Sequence, residues 1–339
     1  MTTLVTMRDV ARRAGVSSAT VSHVLNGTRK VNAETAEAVR NAMRATGYVS
    51  DSLARAMRTG TTRTIGLAMS AISNPYFGEV VHAVEELLAQ QDYSLLLTDT
   101  HDEPATERRA VTDLLQYRPA GIILAPSGSP HDVLDITASR GVPVVCVDRV
   151  IDGVDSVGVE NGDATERMVK HLISLGHKRI ALVSGRPGLT TTNERINGYR
   201  AAMHAADLPT PNDLMLIGDS RGPVARRVVA AALVTPNRPT AMMIGNNQMT
   251  IGAMQALHDA GLDVPHDMAL VAFDDFEWAD LFHPRLTTVA QPEQEMARAA
   301  VSLLFDRMAN PDAPYQRIRL QPTLHHRESC GCDHSDIPL

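Results

Sequence analysis

Two kinds of hydrophobic periodicity divide this chain. In residues 6–47, apolar side chains recur three or four positions apart, as in Met7, Val10 and Ala14, which indicates one face of a helix. From Thr64 onward, short unbroken apolar runs alternate with helical segments, a pattern typical of parallel strands covered by helices on both faces. The predicted strands are 64–69, 93–99, 121–126, 143–148, 156–160, 179–185, 214–219, 241–246 and 268–275.

The first 49 residues predict three short helices with recognisable ends. Thr6 caps the first helix and Gly15 ends it, Ser17 caps the second, and Asn32 begins a third that ends at Gly47. Helix, tight turn, helix, loop and helix in this length is typical of a helix-turn-helix head, although other three-helix bundles share the pattern.

The two series of strands predict two doubly wound α/β lobes, with a ligand cleft beyond the carboxyl ends of their strands. A helix near Pro292–Ala309 and a strand over 318–328 return across the lobes, as in periplasmic sugar-binding proteins. The predicted domains are a head over 1–49, a linker over 50–62, a two-lobed domain over 63–329, and a tail over 330–339. Lobe 1 takes about 63–160 plus 291–319, and lobe 2 takes about 161–290 plus 320–329.

Composition narrows the class of protein. Hydrophobic residues are 44% and charged residues 21% of the 339, which is ordinary for a globular protein. No apolar run is long enough to span a membrane, and the charged N-terminus does not resemble a signal peptide, so a cytoplasmic location is expected. Three cysteines do not make a disulfide framework.

Charge is distributed unevenly along the chain. Residues 1–63 hold ten Lys and Arg against four acids, a net of +6, which leaves −13 for the rest of a chain whose total is −7. A basic head on an acidic body is typical of a module that binds a polyanion, although a solvated basic face without a partner gives the same count.

Eight collinear motifs make the sequence resemble the lac repressor (galactose repressor) family of bacterial transcriptional regulators. They cover residues 6 to about 329 and read TMRDVARRAGVSSATVSHVLNG with its continuation to RTIGL, SNPYF, DRV, LGHKRIALVSG, ERINGY, GNNQMTIGAMQAL, VPHDMALVAFDD and PRLTTVAQP. The resemblance implies a sequence-specific repressor that is controlled by a small effector bound between the lobes. It implies no enzymatic activity and no cofactor.

In such a head the second helix enters the major groove, and its first residues meet base edges or phosphates. His23, one turn later, can donate to or accept from a purine edge, although a lone histidine on a helix is more often plain surface. The residues predicted to contact DNA in the head are Thr6, Ser17, Ser18, Ala19, Thr20, Ser22, His23, Asn26, Arg29 and Lys30.

The resemblance implies a hinge helix after the head, which orders on operator DNA and inserts an apolar side chain into the minor groove. Its predicted contacts are Leu53, Ala54 and Met57, with Met57 at the wedge position. Ser50 stands where many relatives have Pro. Spacing alone indicates only a linker or a marginal helix, because so short a helix is unstable in isolation.

The effector site is expected where strands end. Polar side chains there, with an arginine and two aromatic rings nearby, suit a polyhydroxylated ligand, although helix caps and salt bridges use the same residue types. The predicted effector contacts are Tyr76, Phe77, Asp148, Arg149, Arg195, Asn246, Asp274 and Trp278. Trp278 suits either a sugar ring or a dimer interface. Where the resemblance places the stacking aromatics and one arginine of purine-binding relatives, this chain has Arg149, Leu189 and Ser220, so a sugar, sugar acid or sugar phosphate is expected.

Other chemistries receive little support. No GxxxxGK[ST], HExxH or GxSxG motif occurs in a suitable context, and no acid–base pair for an enzyme of sugar metabolism is visible. A transport protein would need export and has no use for a basic head. Cys330 and Cys332, with His325, His326 and His334, resemble a metal-binding tail, but two cysteines on a terminal segment do not close a tetrahedral site by themselves, so no metal is expected.

A homodimer is expected, because one recognition helix reads too few bases to find a site, and the partner DNA is therefore a double-stranded pseudo-palindrome. Residues 330–339 contain no leucine heptads for a tetramer.

Overall fold

The computed structural model describes residues 5–26, 29–48, 62–70, 74–128 and 130–332, except for the side chain of Asn26. The chain divides into two compact units, Met1–Thr62 and Arg63–Leu339. We call them the head and the body and describe each by itself. The predicted hinge contacts Leu53, Ala54 and Met57 lie outside the described residues.

The head is a bundle of three short helices, α1 (Met7–Ala14), α2 (Ser18–Asn26) and α3 (Ala33–Thr46). Gly15 and Gly47 follow α1 and α3 with φ angles of +67° and +68°, a left-handed conformation that a side chain would strain. The predicted helix stops are therefore confirmed. The buried core is small and consists of Val10, Ala11, Val21, Val39 and Ala42.

The predicted caps at the helix starts also form. The hydroxyl and the backbone N–H of Thr6 both donate to Asp9 Oδ2, over 2.6 and 3.0 Å. The Oδ1 atom of Asn32 accepts a hydrogen bond of 2.7 Å from the N–H of Thr35. These bonds satisfy backbone and side-chain groups that the first turn of a helix leaves without partners, so the short helices begin at defined residues.

The body contains two six-stranded sheets. The strands are β1 (Thr64–Met69), β2 (Ser94–Asp99), β3 (Gly121–Leu124), β4 (Val144–Asp148), β5 (Asp155–Val159), β6 (Ile180–Ser184), β7 (Met215–Ile217), β8 (Ala241–Ile244), β9 (Ala269–Phe273), β10 (Thr287–Ala290), β11 (Arg317–Leu320) and β12 (Thr323–His325). The first sheet has the strand order β11-β5-β4-β3-β1-β2 and is parallel throughout. The second sheet has the order β12-β10-β9-β8-β6-β7 and is parallel except for β12, which pairs antiparallel with β10.

Helices cover both sheets. They are α4 (Pro75–Ala89), α5 (Pro104–Gln116), α6 (His131–Ser139), α7 (Asn161–Ser174), α8 (Thr190–Ala205), α9 (Gly222–Leu233), α10 (Asn247–Asp259) and α11 (Glu293–Ala309), with 3-10 turns at Asn212–Leu214, Ala279–Leu281 and Glu328–Cys330. Helices α4–α6 and α11 form the first lobe together with the first sheet. Helices α7–α10 pack on the second sheet and form the second lobe with it.

All nine predicted strands are present, and their continuous apolar sequences match their burial. Strands β3, β4, β5, β6, β8 and β9 are buried along their whole length, as expected for strands covered on both faces. The chain passes from one lobe to the other at three places, residues 159–161, 290–293 and 320–323.

The single strand predicted over 318–328 is wrong. It is two strands in different sheets: Ile318 of β11 pairs with Val157, and Leu324 of β12 pairs with Val289. Pro322 lies between them and cannot donate to a ladder, so the chain changes sheets there. Strand β10, which the sequence analysis did not predict, supplies the neighbour of β12.

No helix among the described residues is long and apolar enough to cross a membrane.

Candidate functional site

The start of α2 lies at the surface of the head. Ser17, Ser18 and Ala19 are exposed, whereas Thr20 and His23 are half-buried. The Oγ of Ser17 accepts a hydrogen bond of 3.1 Å from the N–H of Thr20, which caps the helix as predicted. Short side chains at the N-terminus of this helix allow its backbone to approach another surface closely.

Two basic residues predicted to contact DNA are also at the surface of the head. Arg29 and Lys30, just beyond α2, are both exposed, and so is Thr6 before α1. The structure thus places these predicted DNA contacts on the outside of the head; the side chain of Asn26 lies outside the described residues. Their role in DNA binding stays a prediction.

A cavity of about 880 Å³ lies in the body at the carboxyl ends of strands from both sheets. Both lobes contribute to its wall, as expected for a ligand site of a doubly wound fold. The lining residues are Ser70, Asn74, Tyr76, Phe77, Asp99, His101, Asp102, Glu103, Asp148, Arg149, Leu182, Ser184, Gly185, Arg186, Leu189, Thr191, Thr192, Arg195, Asp219, Ser220, Arg221, Gly222, Pro223, Gly245, Asn246, Gln248, Asp274 and Gln291.

Two buried aspartates dominate this cavity. Asp148 ends β4 and Asp274 follows β9, with φ angles of +69° and +71°. Left-handed backbone is uncommon outside glycine, and aspartate is among the residues that tolerate it. Because each carboxyl is removed from water, burial is the largest influence on its pKa and raises it above the usual range, while the positive charge of Arg195 acts in the opposite direction on both.

Hydrogen bonds fix the orientation of both carboxylates. The hydroxyl of Tyr76 donates to Asp148 Oδ1 over 3.1 Å, and the amide of Gln291 donates to Asp274 Oδ1 over 2.7 Å. The aspartates are therefore held in place before any ligand arrives, which lowers the ordering cost of binding.

Arg195 projects from α8 and is held on three sides. Its Nε donates to Asn161 Oδ1 over 2.9 Å, an Nη donates to the carbonyl of Gly245, and its guanidinium lies 3.6 Å from the centre of the Phe273 ring. Stacking on an aromatic face and these two bonds fix the plane of the guanidinium, so its remaining N–H groups point in defined directions.

Arg149 and Arg186 bind acceptors of the first lobe. Arg149 is buried and donates to Asp102 Oδ1 and to the carbonyl of Pro126, each over 2.6 Å. Arg186, from the second lobe, donates to the carbonyl of Asp102 over 2.8 Å and to Glu103 Oε1 over 2.7 Å. We call these two bonds of Arg186 the interlobe clasp.

Some buried polar atoms of the cavity wall have no hydrogen-bond partner among the described residues. They are Ser70 Oγ, Gln291 Oε1 and Arg149 Nε, and the last of these lies 3.4 Å from Asp148 Oδ2 in an ion-pair contact. A buried polar group without a partner costs free energy, so such atoms mark places where a ligand or water would bind.

Seven of the eight predicted effector contacts line this one cavity: Tyr76, Phe77, Asp148, Arg149, Arg195, Asn246 and Asp274. Asn246 also has a structural role, since its Oδ1 accepts a hydrogen bond of 2.8 Å from the N–H of Met249 and caps α10. That these residues bind an effector stays a prediction.

Trp278 is the exception and does not line the cavity. It lies on the surface with 39% of its area exposed, and its ring stacks on Phe282 at 5.6 Å and contacts Phe276 at 4.5 Å. The expectation that Trp278 covers a sugar ring in the cleft is therefore wrong for this arrangement. Neighbouring Leu281 is also exposed, so the alternative, a dimer interface, stays a prediction.

Several lining residues were not predicted from the sequence, and those that carry charge are Asp99, Asp102, Glu103, Arg186, Asp219 and Arg221. Asp102 follows β2 and Asp219 follows β7, so the strand-end argument that found Asp148 would have found them too. Both have positive φ angles, +55° and +54°, like the two central aspartates.

Two family descriptions match this chain. Residues 6–51 match the bacterial regulatory proteins of the lacI family, and residues 169–330 match a periplasmic binding protein-like domain. Among curated relatives, the ribose operon repressor of Escherichia coli is 35% identical over 96% of this chain and 100% of its own length. The HTH-type transcriptional repressor PurR of Haemophilus influenzae is 34% identical over 96% of this chain and 98% of its own.

Solved structures agree with these sequences. The lac repressor dimer bound to operator and the anti-inducer ONPF has a TM-score of 0.83, with 28% identity over 96% of this chain and 99% of that one. The complex of the transcriptional regulator CelR with cellobiose has a TM-score of 0.73 at 28% identity, with the same coverage. The chain belongs to the lacI family of bacterial transcriptional regulators. It is a DNA-binding repressor with an effector-binding domain, not an enzyme, which confirms the family and the function expected from the sequence.

Proposed function

We propose that this repressor binds a pseudo-palindromic operator as a homodimer, and that a neutral saccharide in the cavity changes its affinity for that operator. One observation supports a saccharide as the ligand. Two buried, oriented carboxylates, those of Asp148 and Asp274, line the same polar cavity as Arg195. Carboxylate and guanidinium groups bind vicinal hydroxyls in pairs, and a polyol can satisfy several of them at once.

The charge of the cavity wall favours a neutral ligand over a sugar acid or sugar phosphate. The cavity is lined by six carboxylates and only four arginines, so acidic groups are in excess. Three of these arginines already donate hydrogen bonds to protein acceptors. An additional anion would add to an acidic excess. The carboxylates are Asp99, Asp102, Glu103, Asp148, Asp219 and Asp274, and the arginines are Arg149, Arg186, Arg195 and Arg221.

A purine has little to stack on in this cavity. Among the described residues that line the cavity, Tyr76 and Phe77 carry the phenol and phenyl rings, and both lie in the first turn of α4. The positions that correspond to the stacking aromatics and one arginine of purine-binding relatives hold Arg149, Leu189 and Ser220, so these positions give a flat base no ring to stack on. A sugar needs only one apolar wall.

The homodimer rests on the size of the head. Helix α2 has nine residues and reads only a few bases, so two heads are needed for a site rare enough in a genome. A repressor works where the chromosome is, so the proposed location is the bacterial cytoplasm.

A thermal-shift screen of the full chain tests the ligand class. Neutral mono- and disaccharides should include one that raises the melting temperature in proportion to the logarithm of its concentration. Purines and sugar phosphates should not. Arg195→Gln should remove the shift, whereas Arg226→Gln, a matched change at an exposed surface ion pair with Asp259, should keep it. A shift produced only by a purine or a phosphate ester would refute the proposal.

Fluorescence anisotropy with DNA from upstream of the chain's own gene tests the response. The saccharide found above should move the midpoint of DNA binding. A ligand that binds the cavity tightly yet leaves this midpoint unchanged would contradict an effector role, because only differential binding to two states shifts an equilibrium.

A further inference from the structure

Four side chains with metal-binding atoms meet in the second lobe, outside the cavity: three lie close together near the end of the chain, and the fourth lies far from them in sequence. They are His171 near the end of α7, His326 just after β12, Cys330 in the last 3-10 turn, and Cys332. One nitrogen or sulfur atom from each lies within 4.8 Å of all the others. We call these residues the His2Cys2 cluster.

The fold holds the two cysteines side by side. Gly331, between them, has a φ angle of +81°, and this left-handed turn lets both thiols point the same way. The two sulfur atoms are 3.0 Å apart, and Cys330 Sγ lies 3.3 Å from the carbonyl of Arg327. The pair is therefore formed by the backbone of the turn.

The turn itself is fixed to the second sheet. The hydroxyl of Ser329 donates to the carbonyl of Leu270 over 2.7 Å and accepts from the N–H of Thr287 over 2.8 Å. Supporting bonds of this kind orient ligands in metal sites, because they remove the freedom that binding would otherwise have to remove.

An independent observation comes from His171. Its Nε2 atom is buried and has no hydrogen-bond partner among the described residues. Its ring contacts the ring of His326 edge to face, with centres 4.5 Å apart. A metal would supply the missing partner.

We propose that His171, His326, Cys330 and Cys332 bind one Zn²⁺ ion as a structural site that ties the C-terminal segment to α7. Two imidazoles and two thiolates are a complete tetrahedral set for zinc and leave no position for water or substrate. Bond lengths to zinc of about 2.0–2.3 Å place tetrahedral ligands roughly 3.4–3.8 Å apart, so small side-chain rotations complete the site.

Charge and protons balance in this arrangement. Each thiol releases one proton to solvent as its sulfur binds, and the two thiolate charges cancel the charge of Zn²⁺. The bound site is neutral, which suits its buried position, since Cys330 is almost completely buried and Cys332 is half-buried. Soft sulfur with imidazole also favours zinc over magnesium or calcium.

The expectation from sequence that no metal binds is therefore replaced by this proposal. The sequence pointed to a tail of His325, His326, Cys330 and Cys332, yet His325 lies 2.7 Å from Asp275 Oδ2 in an ion-pair contact. His334 lies outside the described residues. The fourth ligand is His171, which only the packing of α7 against the end of the chain brings near.

Metal content and spectroscopy of the untagged full chain test the proposal. Chain purified without chelators should contain one zinc per molecule. Metal-free chain should take up one Co²⁺ with the intense visible absorption of tetrahedral cobalt and a sulfur-to-cobalt charge-transfer band. His171→Gln and Cys332→Ser should each abolish the tetrahedral spectrum. The matched controls, the exposed His258→Gln and the distant buried Cys146→Ala, should keep it.

Three results would overturn the proposal. One is a chain that binds neither zinc nor cobalt stoichiometrically. Another is retention of the tetrahedral spectrum in either ligand variant. The third is a Cys330–Cys332 disulfide in chain purified without chelators, read as a single free thiol when the denatured chain is titrated without reductant. If one variant fails to fold, the wild-type metal content and the other variant still decide.

Discussion

The head and the body of this repressor use polar side chains in opposite ways. In the head, the predicted DNA contacts Ser17, Ser18 and Lys30 are exposed, and five small residues make the core. In the body, Asp148 and Asp274 are buried and oriented by protein hydrogen bonds. The difference fits the two ligands. DNA is a polyanion and binds at an open surface, whereas the proposed neutral saccharide must lose its water and be contacted on most sides within the cavity.

Deleting the head tests this division most strongly. A chain of residues 63–339 should lose operator binding entirely, a loss of at least about 10³-fold, because nothing in the acidic body replaces the head. Saccharide binding should be unchanged, because the cavity is built from body residues alone. Anisotropy and calorimetry on the same preparation measure both. Operator binding by the truncated chain would show that the head assignment is wrong.

The second largest expected effect is a difference in salt dependence between operator binding by the head and saccharide binding by the body. Raising salt from about 50 to about 200 mM should weaken operator binding roughly 10³-fold, because basic side chains displace ions from the phosphates. Saccharide affinity, measured in parallel, should stay constant because the ligand is neutral. A sugar affinity that falls with salt would indicate an anionic ligand instead.

Arg195→Ala should act on the body alone. Hydrogen bonds from charged groups contribute about 1.5–3 kcal/mol, so saccharide affinity should fall roughly 10- to 150-fold. Operator binding without ligand should persist, and the concentration of sugar needed for a response should rise by the same factor. Titration of the DNA complex with sugar measures this, and an unchanged midpoint would exclude Arg195 from the site.

Two variants of the head should change different properties of DNA binding, one the base preference and the other the overall affinity. His23→Ala should change the preference at one base pair of each half-site by about 1–3 kcal/mol, whereas Lys30→Ala should weaken all sequences about equally. A binding-site selection experiment with both variants distinguishes the two effects. Uniform loss in both would leave His23 as a positioning residue rather than a base reader.

The smallest expected effect concerns Glu293, at the start of α11 where the chain returns to the first lobe. Burial raises its pKa to about 7, with Asp274 adding to the shift. Folding therefore favours the protonated acid, so this residue supports stability below its unfolded pKa of about 4.5 and loses that support as pH rises towards 7. Glu293→Gln should match wild type in melting temperature near pH 5 and exceed it by a few degrees at pH 8. Equal melting temperatures at both values would contradict the shift.

The fold was largely predictable because its strands are continuous apolar runs between helices, and all nine predicted ones are present. The failure at 318–328 has a local cause: two short strands around Pro322 read as one pattern, while their partners in two sheets lie far away in sequence. Sequence patterns identify what a segment is more readily than which neighbour it pairs with.

The same limit explains the sites. Asp148 and Asp274 were predictable because strand ends mark the cavity. Trp278 was not, because its position four residues beyond Asp274 does not tell whether the ring turns inward or onto Phe282. His171 carries no local signal at all, since only tertiary packing places it beside Cys330 and Cys332.

The interlobe clasp gives the cavity a kinetic property. Arg186 of the second lobe holds Asp102 and Glu103 of the first, and all three residues line the cavity. The two lobes therefore cannot move apart here without breaking both bonds, whatever the affinity of a ligand. We expect the rate of that separation, and with it the residence time of a ligand, to depend partly on a residue that need not touch the ligand.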